Sequence, residues 1–283
     1  MTFIVALMAL LVERFFDWGH LRRWDWYVGY RLWVEQKLKN QPPAWVLTIA
    51  VLPFLIAVLL IQYVFIGKLY GFLSLLFHFL VLLYCMGPQN LWADTFACIN
   101  ALAQGDAGQV AEKLKTMFGI TEMIQSQTFH QQFLRKIFIA ANVRVFAVVF
   151  WYAILGPAGA LFYRLMVLAS PLQAKEEEEV MPLVVKDAYH VETVLDWLPV
   201  RVFTFIFALG GHFVKTLAAW RKDVLQGLGS NEAMLADCGL AALGIDEAGS
   251  LAEDGSVERN AISLLDRVFV ILLVAVAVGV IVI

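Results

Sequence analysis

The chain has 283 residues, 61% hydrophobic and 16% charged, with a formal net charge of −3 and a mean hydropathy of +0.73. Globular domains average about 45–50% apolar and about 25% charged residues, so this composition needs a bilayer or a large partner to cover its apolar surface. The slightly acidic balance excludes a nucleic-acid binder that works by neutralising phosphates.

Residues 1–44 read as half-inserted and interfacial amphipathic helices. Met1–Val12 is almost wholly apolar but too short to cross a bilayer, which takes about 20 residues. No Lys or Arg precedes it and Glu13-Arg14-Phe15-Phe16 follows, so it lacks the basic start and small-residue cleavage site of a signal peptide. Trp24, Trp26, Tyr27, Tyr30 and Trp33, interleaved with Arg22, Arg23, Arg31 and Lys37, suit an interfacial helix with rings at headgroup level. Gln41-Pro42-Pro43 breaks that helix.

Residues 45–87 form a predicted transmembrane hairpin, Trp45–Gly67 and Leu69–Gly87, with only Lys68 between the two segments. Residues 88–144 read as a cytoplasmic helical segment. One helix covers Asp94–Gln104, and a second begins at Asp106 or Ala107 with Val110, Leu114, Met117 and Phe118 on one face. Within it Asp94 and Cys98 share a helix face, read as a solvated carboxylate beside a packed thiol. Residues 145–216 comprise a broken span (Val145–Ala169), an acidic external loop containing Glu176–Glu179, and a returning span (Val200–Val214) that is short for the task. Residues 217–266 form an acidic cytoplasmic segment with short helices at Leu235–Ala242 and Asn260–Arg267, and 267–283 is a C-terminal span. The fold class is therefore all-α: a polytopic helical membrane protein with four to five spans, an interfacial N-terminal helix and cytoplasmic helical loops. Counting Lys and Arg near span ends places 13–44 and 88–144 in the cytoplasm and 170–199 outside.

Nucleotide, dinucleotide, zinc-protease and serine-hydrolase signatures are absent from the sequence. Cys85, Cys98 and Cys238 have neither disulfide-framework nor zinc-site spacing and read as reduced, small apolar residues. His20, His78, His130, His190 and His212 are scattered, which favours structural roles. No metal and no cofactor are expected.

Three stretches are less ordinary: Ala101-Leu102-Ala103-Gln104-Gly105-Asp106, Gly156-Pro157-Ala158-Gly159-Ala160-Leu161-Phe162-Tyr163-Arg164-Leu165, and Asp196-Trp197-Leu198-Pro199-Val200-Arg201-Val202. Gly156, Pro157, Gly159 and Pro199 are the structural motif, because a broken span exposes backbone groups that protein or a wet cavity must satisfy. Tyr163, Arg164, Asp196, Arg201 and His212 are the ligand-binding candidates. Two readings stay open for the arginines: a guanidinium that binds a phosphate or carboxylate, or one that snorkels to the headgroups.

At these residues the chain resembles the AmpE membrane proteins and, more distantly, the CobD/CbiB cobalamin-biosynthesis family. The likeness covers roughly residues 75–215, and the Glu258–Arg267 helix with the final span is also AmpE-like. AmpE resemblance implies a multi-pass protein of the bacterial inner membrane, associated with β-lactamase induction and cell-wall-recycling signalling. Its implied partners are the lipid bilayer and a cell-wall-derived metabolite or another regulatory protein, with no nucleic acid. CobD/CbiB resemblance implies an amide-forming condensation, but the carboxylates of that pattern are missing. Ala140-Ala141-Asn142-Val143-Arg144 replaces an acidic stretch, Val167 and Ser170 replace Asn and Asp, and a paired Asp is reduced to Glu192-Thr193. Carboxylates hold metals or move protons in such chemistry. The expected function is a non-enzymatic regulatory or signalling modulator. The alternatives are an amide-forming ligase of the CobD/CbiB type acting on another polar metabolite and a transporter of wall fragments.

Overall fold

A computed structural model describes residues 1–16, 22–65, 71–87, 90–104, 107–120, 129–170, 182–245 and 255–282. All regular structure among them is helical. In chain order the helices are α1 (Thr2–Phe15), α2 (Asp25–Lys37), α3 (Pro43–Phe65), α4 (Phe72–Cys85), α5 (Leu91–Ala103), α6 (Ala107–Phe118), α7 (Phe129–Ala141), α8 (Ala147–Ala169), α9 (Leu183–Gly210), α10 (Phe213–Asp223), α11 (Asn231–Ala242) and α12 (Ser256–Val282). A π-helical turn, Asn142–Phe146, joins α7 to α8. The segments Gly105-Asp106 and Glu176–Glu179 lie outside the described residues.

Four stretches are long and apolar enough to cross a bilayer: Pro43–Phe65, Phe129–Ala169, Leu183–Gly210 and Ser256–Gly279. The number agrees with the sequence reading, but the membership differs. Within the expected Leu69–Gly87 span, α4 has only 14 residues. The expected loop at 170–199 is helical from Leu183, which gives the short Val200–Val214 segment the length it lacked. The expected short helix at 260–267 and the C-terminal span are one 27-residue helix, α12. A polar helical turn and an apolar one share the same hydrogen-bond pattern, so hydropathy marks the apolar part of a helix rather than its end.

The chain divides into two compact units, Met1–Pro88 with Ala147–Leu195, and Gln89–Phe146 with Asp196–Ile283. In the first unit α1 lies against α4 and α8. Its inward face is Val5, Ala6, Ala9, Leu10 and Glu13, spaced three and four apart as a helical stripe requires. Helix α2 turns Tyr27, Arg31 and Val34 inward and leaves Trp26 and Trp33 exposed. Trp26, Tyr27 and Tyr30 surround Phe54 of α3, with ring centroids 5.1 to 6.0 Å away.

Prolines inside spans free a carbonyl four residues back. Pro53 cannot donate to Ile49, and the Ile49 oxygen instead accepts from the Tyr30 hydroxyl at 3.2 Å. Pro199 cannot donate to Leu195, and the Leu195 oxygen accepts from Trp151 Nε1 at 3.2 Å. The break in α8 has a third form. Gly156 takes φ 68° and ψ −156°, a conformation that glycine tolerates and that the following Pro157 favours by excluding the helical region. The bend brings the turns on either side so close that a Cβ at Gly159 would lie 2.5 Å from the Trp151 carbonyl oxygen and 2.5 Å from Leu155 Cβ.

Helix α8 runs alongside α4 in the same sense. Tyr152 Oη is 3.0 Å from His78 Nδ1, and further along both helices Arg164 Nε is 2.5 Å from the Cys85 oxygen. Helices α3 and α4 meet near their junction, where Phe65 and Phe77 are 5.8 Å apart, so α8 opposes α3. Ser170 and the start of α9 therefore lie towards the end of the unit where α3 begins, and Ala44 and Lys186 line one groove. Charge counting had put 13–44 and 170–199 on opposite sides. That count rests on 170–199 holding only two basic residues, Lys175 and Lys186, a small number on which to set an orientation.

Two outcomes are expected. Cysteines placed at exposed Gln41 and Leu183 should react with an impermeant maleimide from the same side of the membrane; labelling from opposite sides would restore the charge-based topology. Gly159→Ala should lower the unfolding midpoint of the detergent-purified protein, by the roughly 1–3 kcal/mol typical of an overpacked site, because the obstacle is backbone that cannot rotate away.

Candidate functional site

Each unit contains its own buried polar side chains. In the first, the last carbonyls of α4 have no partner within their own helix, as at any helix C-terminus. Arg164, 1% exposed, donates from Nε to the Cys85 oxygen at 2.5 Å. Arg22 donates from the other side to the Gly87 oxygen at 3.0 Å and also to the Met86 oxygen. Its charge is balanced by Glu13, 2.7 Å away, with both side chains 2% exposed or less. Neither arginine reaches for headgroups. Tyr163 is fully buried beside Arg164 in sequence. Ser170, at the end of α8, donates its hydroxyl to Glu192 of α9, and both are buried. These are two of the positions at which the sequence departs from the CobD/CbiB pattern, and the fold brings them into contact.

The second unit contains Asp196, Arg201 and His212. Asp196, buried, accepts from Asn142 Nδ2 at 3.1 Å. Asn142 stands in the π-helical turn, a kind of irregularity often found at functional sites. Its Oδ1 is buried without a hydrogen-bond partner. Arg201 projects from α9 onto the turn between α10 and α11. Nε donates to the Val224 oxygen at 3.1 Å, one terminal nitrogen to Trp197 O at 3.0 Å and Asn231 Oδ1 at 2.7 Å, and the other to Gln226 O at 2.9 Å. The guanidinium also lies 4.3 Å from the Trp197 ring centroid. A guanidinium has five N–H donors, and four bonds of this one go to the chain itself. His212 caps α10: its backbone N–H donates to the Ala242 oxygen at 3.0 Å, and its carbonyl accepts from Thr216 N at 3.0 Å. Its ring covers Gly244, where an added Cβ would come within 2.8 Å of Nε2.

Several polar pairs of the second unit carried no sequence signal. His130 Nδ1 is 2.6 Å from Glu258 Oε1, and Glu258 is fully buried at the start of α12. Asp94, expected to be solvated, pairs with Arg144 at 2.8 Å. Arg144 also donates to the Met117 oxygen in the last turn of α6 at 2.8 Å. Residue separations of 128 and 50 hide such pairs from any local pattern. All three cysteines are buried, as expected. Burial, with Asp223 and Asp237 nearby, pushes the Cys238 thiol up to about 12, so it stays protonated at neutral pH.

Spanning helices, buried arginines on helix C-termini and polar pairs closed on one another define a multi-pass, all-α membrane protein in contact with the lipid bilayer. A family model described as "Regulatory signalling modulator protein AmpE" matches residues 1–282, and the chain belongs to that family. The chain is also similar to the cobalamin biosynthesis protein CobD of Chromobacterium violaceum, with 23% identity over 171 residues, 60% of this chain and 54% of that protein. It thus spans about half the length of this curated relative. No solved structure matches.

Arg201→Ala should strip the 224–231 turn of its anchor and lower membrane abundance together with activity. Leaving the buried Asn231 side chain unpaired, with three part-buried carbonyls returned to water, costs about 1–3 kcal/mol. Normal abundance with lost function, measured by immunoblot of membrane fractions, would instead assign Arg201 to a ligand.

Proposed function

We propose that the chain is a non-enzymatic modulator in the bacterial inner membrane that couples the state of cell-wall recycling to β-lactamase induction. The observation that carries this reading is the family match along residues 1–282. The buried polar groups are consistent with it. Ser170 is bonded to Glu192, and Arg201 holds the turn between α10 and α11. Groups committed in this way hold helices in place and are poorly free to move protons or bind a metal. A modulator of this kind would respond to a cell-wall-derived metabolite or to another regulatory protein.

Deleting the gene should change β-lactam-induced β-lactamase activity in the parent strain, and the wild-type chain supplied in trans should restore it. The same plasmid should fail to restore cobalamin-dependent growth to a strain lacking cobinamide synthase. Growth in that second assay would favour a CobD-type ligase and overturn the non-enzymatic reading. An unchanged induction profile would overturn the link to β-lactamase.

A further inference from the structure

The first unit contains a groove of about 540 Å³, within the range of about 300–1,000 Å³ that suits a bound small molecule. One wall is α3, through Leu47, Val51, Leu52 and Leu55; the facing wall includes Phe162 and Met166 of α8. The walls belong to stretches long and apolar enough to span a bilayer. On α3 the outward residues Trp45, Ile49, Leu52, Ile56 and Leu59 are all exposed and apolar. In a membrane such a groove meets hydrocarbon, so its apolar part suits an acyl chain.

The remaining lining is of different chemistry. Lys186, Asp187 and His190 lie within one turn of each other near the start of α9 and contribute to the same groove. Among the described residues their side chains make no hydrogen bond or ion pair, in contrast to the closed pairs elsewhere. Lys186 supplies a cation, His190 a ring N–H donor, and Asp187 an anion beside them. A single cationic site would suit an anionic headgroup. Cation and carboxylate together suit a headgroup carrying both a phosphodiester and a primary ammonium.

We infer that this groove is a binding site for one phosphatidylethanolamine molecule. An acyl chain lies between α3 and α8, the phosphate sits on Lys186 and His190, and the ammonium sits on Asp187. The inference goes beyond the modulator reading and does not depend on it.

The test uses the full chain, expressed in membranes that contain phosphatidylethanolamine and phosphatidylglycerol, purified in a lipid-free detergent and extracted for lipid quantification by mass spectrometry. The wild type should retain phosphatidylethanolamine over phosphatidylglycerol by about fivefold relative to the bulk membrane, the size expected of one exposed charge pair. Asp187→Lys, at a surface position outside the buried polar groups, should reverse the preference towards phosphatidylglycerol. Leu52→Trp, which fills the apolar part, should reduce retention of both lipids. Each variant is compared only as a monodisperse peak with wild-type helicity; should Asp187→Lys fail that criterion, Asp187→Asn replaces it and should abolish the preference. A wild-type lipid ratio equal to that of the membrane, or a preference unchanged by the charge substitution, overturns the assignment.

Discussion

A helix that ends against other packed elements leaves its last carbonyls without helical partners, and burial limits the water that could supply them. This chain meets that constraint with arginine. Arg22 and Arg164 donate to the end of α4, Arg144 to the last turn of α6, and Arg201 to the carbonyls that follow α10. The match is electrostatic as well as geometric, because the C-terminal end of a helix carries partial negative charge. Each guanidinium is anchored on one helix or segment and donates to another, so satisfying the carbonyls also fixes the packing. The acidic counterions follow from this arrangement: Glu13 neutralises buried Arg22, and Asp94 neutralises Arg144.

The prolines extend the same logic. Pro53 and Pro199 each free a carbonyl within a spanning stretch, and an aromatic side chain fills each vacancy, Tyr30 in one case and Trp151 in the other. Tyr30, which looks interfacial in the sequence, thus has a second use, and Trp151 within the broken span does the same work. One end of the ring system is apolar enough for the core, and the polar tip reaches a backbone oxygen. Removing Tyr30 would therefore do more than thin an aromatic belt.

These commitments bear on how the chain works. Side chains that resemble a binding constellation in the sequence, Arg164 and Arg201 above all, are bonded to the chain's own backbone. Lys186, Asp187 and His190, which are not bonded in this way among the described residues, lie at the start of α9, where they border a groove in the first unit. Ser170 and Glu192 show the same economy, since two polar residues on neighbouring helices are bonded to each other.

The sequence by itself determined the helical class, the membrane environment and the break at Gly156-Pro157, because each depends on local chemistry: runs of apolar side chains, the length needed to cross hydrocarbon, and a residue pair that cannot continue a helix. It also marked Arg164 and Arg201 as unusual, since a charge in an apolar run requires some partner. What the partner is was decided only by tertiary structure. The bonds from Arg164 to Cys85 and from His130 to Glu258 join residues 79 and 128 positions apart. The direction of α8 likewise depends on packing against α4, because a hydropathy profile is the same whichever way a helix crosses. Local sequence fixes what each segment must bury or satisfy, and only the fold determines which distant residue meets that demand.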